Sequence, residues 1–524
     1  MQKCTADGIA KGLSRSIICL IYIMKYALLF LSISGLLSQA FANPAPAPAD
    51  ELPLPNPEMK LNLHPAEPSL LQQTGKPEVE APPKQEKVLE VDEKTLLENP
   101  ELLSRAMYSA VMAQNIEGIK VLLPIYRKWP KHDQEMALFG QALVYQYSGK
   151  AGEAVKLYRI LISTQPDSSI IRLQLAQALF ENQQNEAAAD QFDRLKTEEL
   201  PEPVLQRVEA YRKALRQRDS WQIYGGFNIT REQNINQAPK QQQLGRHLSQ
   251  QECESRRKNN PQSSCFDGWT FDKPINATGF NYQFGAEKKW SLKKGLYAKA
   301  GVDLAGKAYR SYSRYNDDTA RVSAGLGYAD QRNDIGLTPF HERRIYGKHA
   351  YSYSSGARIH WNRWQTHNLQ SLTAIEASRL NNQKRKRSDI NSRFASGSLM
   401  YQRSARQYWL GGADLYQERN RDDRSDDFNR YGLRAVWGQE WGGGLSTRWQ
   451  VGVAKRFYKT PSFFSAGAKR RDKELNTSVS IWHRAVHYEG LTPRLTFSHQ
   501  RTSSNDPYHS NDRNRMFIEL GKTF

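Results

Sequence analysis

The chain predicts two folds in series, an N-terminal α-solenoid followed by a C-terminal antiparallel transmembrane β-barrel of about fourteen strands. Together they make an α + β multidomain protein. Three observations carry this. From Trp221 onward the chain runs as short segments in which apolar and polar residues alternate, and a period of 2 puts one set on each face of a strand. Between residues 93 and 218 the periodicity becomes helical, with a self-match at a spacing of about 34 residues. Beyond the N-terminal stretch, no apolar run approaches the roughly 20 residues that a membrane-crossing helix needs.

In chain order, residues 1–42 read as a secretory signal. Met24-Lys25-Tyr26 precedes an apolar run from Ala27 to Leu37, and Ala40-Phe41-Ala42 is a small-x-small cleavage site before Asn43. Met24 is a candidate true start. No cysteine follows the site directly, so no lipid anchor is expected on the chain itself. Residues 43–92 are rich in Pro, Glu and Lys, as in Pro44-Ala45-Pro46-Ala47-Pro48. That composition cannot bury a core and reads as a disordered periplasmic tether.

Residues 93–218 read as the solenoid. Ala142 matches Ala176, Ala154 matches Ala188, Tyr158 matches Phe192 and Leu161 matches Leu195. Tyr145 joins the pattern, Gly149 sits at the turn and Pro166 closes the first unit. These are the small, aromatic and proline positions of tetratricopeptide repeats. Small residues let paired helices approach closely, and aromatics fill the gap to the next pair. Leu97 to Lys128 reads as a further, degenerate unit. Pro201 and Pro203 open a last helix whose stripe of Val204, Leu205, Val208, Tyr211 and Leu215 suits a cap. Such repeats present a groove to a peptide or protein, so a partner-binding module is expected.

Residues 219–524 read as the barrel. Trp221, Ile223, Phe227 and Ile229 alternate with Gln222, Tyr224, Asn228 and Thr230, and Leu445, Thr447, Trp449, Val451 and Val453 with Ser446, Arg448, Gln450, Gly452 and Ala454. Segments 333–346 and 366–380 alternate poorly, which leaves the strand count open by two. Tight turns at Lys293-Lys294-Gly295 and Trp441-Gly442-Gly443-Gly444 are expected to interleave with long polar connections near 231–274, 308–318, 381–390, 418–428, 458–473 and 501–513, short on the periplasmic side and long outside. Trp290, Trp361, Trp364 and Trp441 near the short turns suit an interfacial girdle. The last strand, with Met516, Ile518, Leu520 and Phe524 on one face, reads as a barrel-insertion signal interrupted by Lys522.

A net charge of +20 raises nucleic acid as a partner, but the basic residues are spread over strands and loops with no accompanying motif. A basic lumen and loops near anionic lipopolysaccharide are expected instead, with Lys384-Arg385-Lys386-Arg387 in an outer loop. A mean hydropathy of −0.72 fits a barrel, which shows lipid only half of each strand. Cys253 and Cys265 share one predicted loop, and in an oxidising compartment they are expected to pair. A zinc site wants four ligands, and no nearby Cys/His set supplies them. His341-Glu342-Arg343-Arg344 lacks the second His of a zinc helix, and His360, His483 and His499 are scattered. No nucleophile elbow or phosphate loop occurs. No catalytic residue, metal or cofactor is expected.

A periplasmic tetratricopeptide domain joined to such a barrel resembles the Slam family, the surface lipoprotein assembly modulators. Matching stretches are Asn185-Glu186-Ala187-Ala188-Ala189-Asp190-Gln191-Phe192-Asp193-Arg194-Leu195, Phe428-Asn429-Arg430-Tyr431-Gly432-Leu433-Arg434, Trp437-Gly438-Gln439-Glu440-Trp441 and Pro493-Arg494-Leu495-Thr496-Phe497-Ser498-His499. The resemblance implies export without catalysis of client lipoproteins, such as transferrin-, lactoferrin- or haemoglobin-haptoglobin-binding receptors, to the cell surface. The partners it implies are that client, a periplasmic chaperone, the barrel-assembly machinery and outer-membrane lipid. A lateral seam between the first strand (Trp221–Thr230) and the last (Arg515–Phe524) would let a lipid anchor slide into the outer leaflet. The competing reading is an exopolysaccharide exporter, which also joins such repeats to a barrel but with more of them.

Overall fold

A computed structural model describes residues 93–383, 388–486 and 492–523. The expected signal (1–42), the tether (43–92), the basic run at 384–387 and Phe524 lie outside the described residues.

The solenoid comprises α1 (Glu93–Glu98), α2 (Pro100–Met112), α3 (Ile116–Lys128), α4 (Gln134–Tyr147), α5 (Ala151–Thr164), α6 (Ser169–Glu181), α7 (Asn185–Lys196) and α8 (Glu202–Arg218). Its helices start where side chains cap free backbone N–H groups. Asn99, Asn115, Asp133 and Ser168 accept from the first turns of α2, α3, α4 and α6. The pairs α4–α5 and α6–α7 pack through Ala142, Ala154, Ala176 and Ala188, all fully enclosed. Tyr158 packs edge-on to Phe139, and Phe192 stacks on Tyr211 of α8 at 5.1 Å. Tyr145 lies half-buried against the same core.

The segment Leu97–Lys128 folds as a third pair, α2–α3. Its divergence has a physical reason. Counted back from the helix end, Met107 stands in α2 where Ala142 and Ala176 stand in α4 and α6. The bulk is taken up opposite, where a side chain on Gly140 would meet the Met107 methyl at 2.5 Å. The turn residues of the three pairs, Gln114, Gly149 and Gln183, share a left-handed backbone with φ of 51°, 72° and 57°. Only Gly149 adopts it without steric cost.

The barrel strands are β1 (Trp221–Glu232), β4 (Ala277–Ser291), β5 (Leu296–Tyr309), β6 (Asp317–Ala329), β7 (Asn333–Tyr346), β8 (His349–Trp364), β9 (Leu369–Asn382), β10 (Ile390–Ser404), β11 (Gln407–Asn420), β12 (Phe428–Glu440), β13 (Leu445–Pro461), β14 (Lys469–His483), β15 (Arg494–Ser504) and β16 (Asn511–Thr523). Each pairs antiparallel with its sequence neighbour, and β1 pairs with β16 to close the ring. The closing register runs from Tyr224 opposite Thr523 to Glu232 opposite Arg515. The poorly alternating segments are the full strands β7 and β9, so the closed barrel has fourteen strands.

The outer wall is apolar. Ile229, Leu326, Leu433 and Val453 stand exposed on it, as do Trp290, Trp361, Trp409, Trp441 and Trp449. Trp364 departs from the expected girdle. It falls on the opposite parity to Trp361 and packs inward against Met400, Leu410 and Val436.

The connections also differ from expectation. Strands extend into the stretches read as long loops, because polar residues on a barrel strand face the lumen and look like loop in sequence. At the end far from the solenoid, β7 and β8 are joined by only Gly347 and Lys348, with φ of 56° and 68°, a two-residue hairpin turn. At the solenoid end, β14 ends at His483 and β15 begins only at Arg494, a wider gap than the other connections on that side. The first far connection, 233–276, is structured: β2 (Gln243–His247) pairs with β3 (Phe266–Thr270), with α9 (Gln250–Asn259) between them.

Candidate functional site: the solenoid joint, the lumen and the far rim

Two turns of the barrel hold two turns of the solenoid. Asn185, at the start of α7, donates from Nδ2 to Ser291 Oγ at 2.8 Å, and Ser291 Oγ donates to Asp219 Oδ1 at 2.6 Å. Arg218 ends α8 over the Phe180 ring, 3.6 Å from its centre, and donates to Phe180 O and Asn185 Oδ1. Burial pulls its guanidinium down to about 10. At the second contact the Ala151 N–H donates to Gln331 Oε1 at 2.9 Å, and Arg332 reaches Ser148 O beside Gly149. Sequence reading missed these residues, because each bond joins positions far apart in the chain.

Just inside the barrel at this end, the Tyr297 hydroxyl donates to Asp334 at 2.7 Å. His360 Nε2 lies 3.4 Å from the same oxygen, and Lys289 sits 3.9 Å over the Tyr297 ring. His360 is therefore a lumenal residue. His499 is on the outer wall, hydrogen-bonded to Asn514 at 2.6 Å, and His483 ends β14. His341 is on the outer wall of β7, beside Ser355.

The lumen face is charged but balanced. Arg344 holds Asp317 by two bonds of 2.7 Å, Glu474 lies between Arg430 at 2.8 Å and Arg456 at 2.7 Å, and Arg470 holds Asp472 at 2.7 Å. Arg434 pairs with Asp414, and Arg513 and Tyr309 meet at Glu232. Charges out of bulk water persist only when paired, and these pairs stitch strands together from inside. The expected basic lumen is thus corrected. These named cations are neutralised in place by lumenal carboxylates.

At the far rim, Cys253 in α9 is bonded to Cys265 ahead of β3, with Cα atoms 4.9 Å apart. The first connection crosses the β1–β16 closure. Gln233 N–H donates to Asn514 O, Lys240 N–H donates to Ser510 O, and Lys240 Nζ lies 3.2 Å from Asp512. Trp269 and Phe271 pack against Phe463 and Phe464 of the β13–β14 connection and Tyr508 of the β15–β16 connection. On β16 itself, Met516 and Ile518 face outward at 47% and 50% exposure, and Leu520 is half-buried on the same parity.

A solenoid of tetratricopeptide repeats fixed to one end of a closed fourteen-strand barrel, apolar outside and charged within, defines an outer-membrane β-barrel protein with a repeat domain. The model of the surface lipoprotein assembly modifier family matches residues 221–524, and that of the family's N-terminal repeats matches residues 89–192. Surface lipoprotein assembly modifier 1 of Neisseria meningitidis serogroup B (strain MC58) is 55% identical over 441 residues, covering 84% of this chain and 86% of that protein. The surface lipoprotein assembly modifier of Moraxella catarrhalis is 42% identical over 84% of this chain and 83% of its own length. The hemophilin secretion modulator of Acinetobacter baumannii is 27% identical over 82% and 86%. The chain belongs to the surface lipoprotein assembly modifier family.

Proposed function

We propose that this chain delivers client lipoproteins of haem and iron acquisition to the cell surface, with no bond-making chemistry of its own. The solenoid end faces the periplasm and the far rim faces outward. The observation that carries the reading is the joint. A partner-binding solenoid is held by Asn185, Ser291, Arg332 and Gln331 against the mouth of a polar-lined barrel, so a client held by the repeats is delivered to that mouth. The relative named for hemophilin secretion supports a haem-related client. A periplasmic chaperone and the barrel-assembly machinery are the further partners of this scheme.

The test is co-expression of candidate receptor lipoproteins with this chain in a laboratory Gram-negative host. A client should become protease-accessible on intact cells only when the chain is present. Normal total lipoprotein with no surface exposure for any candidate sinks the reading. The lipid anchor leaves through the β1–β16 seam in this scheme. A disulfide engineered at the register pair Asn228→Cys and Glu519→Cys should abolish display until reduced, and full display with the bond formed excludes the seam.

A further inference from the structure

On β13 and β14 the outer wall changes character at one height. Along β13 the outward residues are Trp449, Val451 and Val453, then Lys455, Phe457 and Lys459. Along β14, read toward the far end, they are Ile481, Val479, Thr477 and Leu475, then Lys473, Arg471 and Lys469. Lys455 and Lys473 are direct register partners, both exposed. Like charges placed opposite each other on a sheet repel. Among the described residues no ion pair engages Lys455, Lys469, Arg471 or Lys473, whereas the acidic neighbour Asp512 is taken up by Lys240 and Arg501. The inward residues of the same stretch, Arg456, Arg470, Asp472 and Glu474, are paired with one another or with Arg430. The compensation found on the lumen face is missing at these four outward cations, which points to an anion outside the protein.

A neighbouring feature supplies the rest of a binding site. An open depression of about 420 Å³ crosses β14, β15, β16 and β1 on the outer wall. Val479, Phe497 and Met516 line its apolar part, and Arg231, His499 and Asn514 its polar part toward the far end. Arg231 is exposed and carries no acidic partner among the described residues.

We infer that this wall binds the phosphorylated disaccharide lipid of the outer leaflet, lipid A. Its phosphates are held by Lys455, Lys473 and Arg471, and an acyl chain lies in the depression beside the β1–β16 closure. Charge complementarity selects a phosphoglycolipid, because the cations cluster at the far margin of the apolar band, the level of the headgroup phosphates, interleaved only with Phe457. The inference rests on the orientation proposed above.

The test uses the full chain purified in detergent micelles, titrated with bisphosphoryl lipid A and followed by native mass spectrometry. Wild type should retain bisphosphoryl lipid A and bind enzymatically dephosphorylated lipid A at least about tenfold more weakly, since each interfacial cation adds appreciably to anion binding. Lys455→Gln/Arg471→Gln/Lys473→Gln should show the same loss, with heat-modifiable electrophoretic mobility reporting an intact barrel. Lys455→Arg/Lys473→Arg should bind as wild type. Equal retention of the phosphorylated and dephosphorylated lipids overturns the inference without any variant having to fold. Equal retention of phosphatidylglycerol also overturns it, leaving only unspecific charge attraction. Because binding in micelles needs no client, a failed display assay and a failed lipid titration are separate outcomes.

Discussion

The solenoid and the barrel use the same residue types in opposite places. In the solenoid Phe192, Tyr158 and Leu143 are wholly enclosed, and the exterior carries exposed pairs such as Arg105–Glu101. In the barrel Phe284, Leu433 and Trp449 stand outward, and the enclosed residues are Arg430, Asp472 and Glu232. Burial in the first means removal from water. In the second, lipid does the removing on the outside, while inside each polar group must find a partner. One chain therefore needs two rules for reading a hydrophobic residue, and the rule changes between Arg218 and Trp221.

That contrast can be broken by substitution. The largest effect is expected from Phe192→Ala, which empties a site with no exposure beside Tyr211 and should cost the solenoid about 3–5 kcal/mol. The helical far-ultraviolet signal should melt earlier while the barrel keeps its heat-modifiable mobility. An unshifted helical melt would mean that the aromatic stack does not hold the repeats. Next comes an arginine placed on each exterior. Leu433→Arg, at a site 62% exposed on the wall, should cost about 2–4 kcal/mol of barrel stability in lipid vesicles. Val121→Arg on the solenoid, 66% exposed, should change stability by no more than about 0.5 kcal/mol. Equal costs in urea titrations of the two variants would show that the wall does not face hydrocarbon.

The smallest effect is a pH response confined to the solenoid. Burial first, and Glu181 second, push the Tyr211 hydroxyl from 10.0 up to about 12, and burial also raises Tyr158. A folded value above the unfolded one means that this contribution is complete below pH 10 and is lost as pH rises toward about 12. Ultraviolet phenolate absorbance should lag behind that of a denatured control in this window and then rise together with helix loss. Phenolate formation without that lag would mean that Tyr211 is not enclosed.

Much of this architecture was legible because periodicity is local. Ile223, Phe227 and Ile229 declare a strand face without reference to any other strand, and Ala142 with Ala176 declares a repeat. The third helical pair was faint because Met107 stands where Ala142 and Ala176 mark the other units, and its fit depends on Gly140 across the interface. Trp364 misled because a tryptophan near a turn reads as girdle until its parity with Trp361 is counted. The joint was invisible, since Asn185 and Ser291 meet only once both domains have folded. The charge was legible as an excess but not as a location. Only the register shows that Arg456 is neutralised by Glu474 while Lys455, one residue earlier, is not.

The far rim is a wall on one side and a sill on the other. The bonded helix of the first connection and the packed rings of Trp269, Phe271, Phe464 and Tyr508 stand over the β13–β1 arc, whereas Gly347 and Lys348 barely rise above β7 and β8. A label inserted at Gly347-Lys348 is therefore clear of those packed rings, and one inserted in the first connection disturbs them.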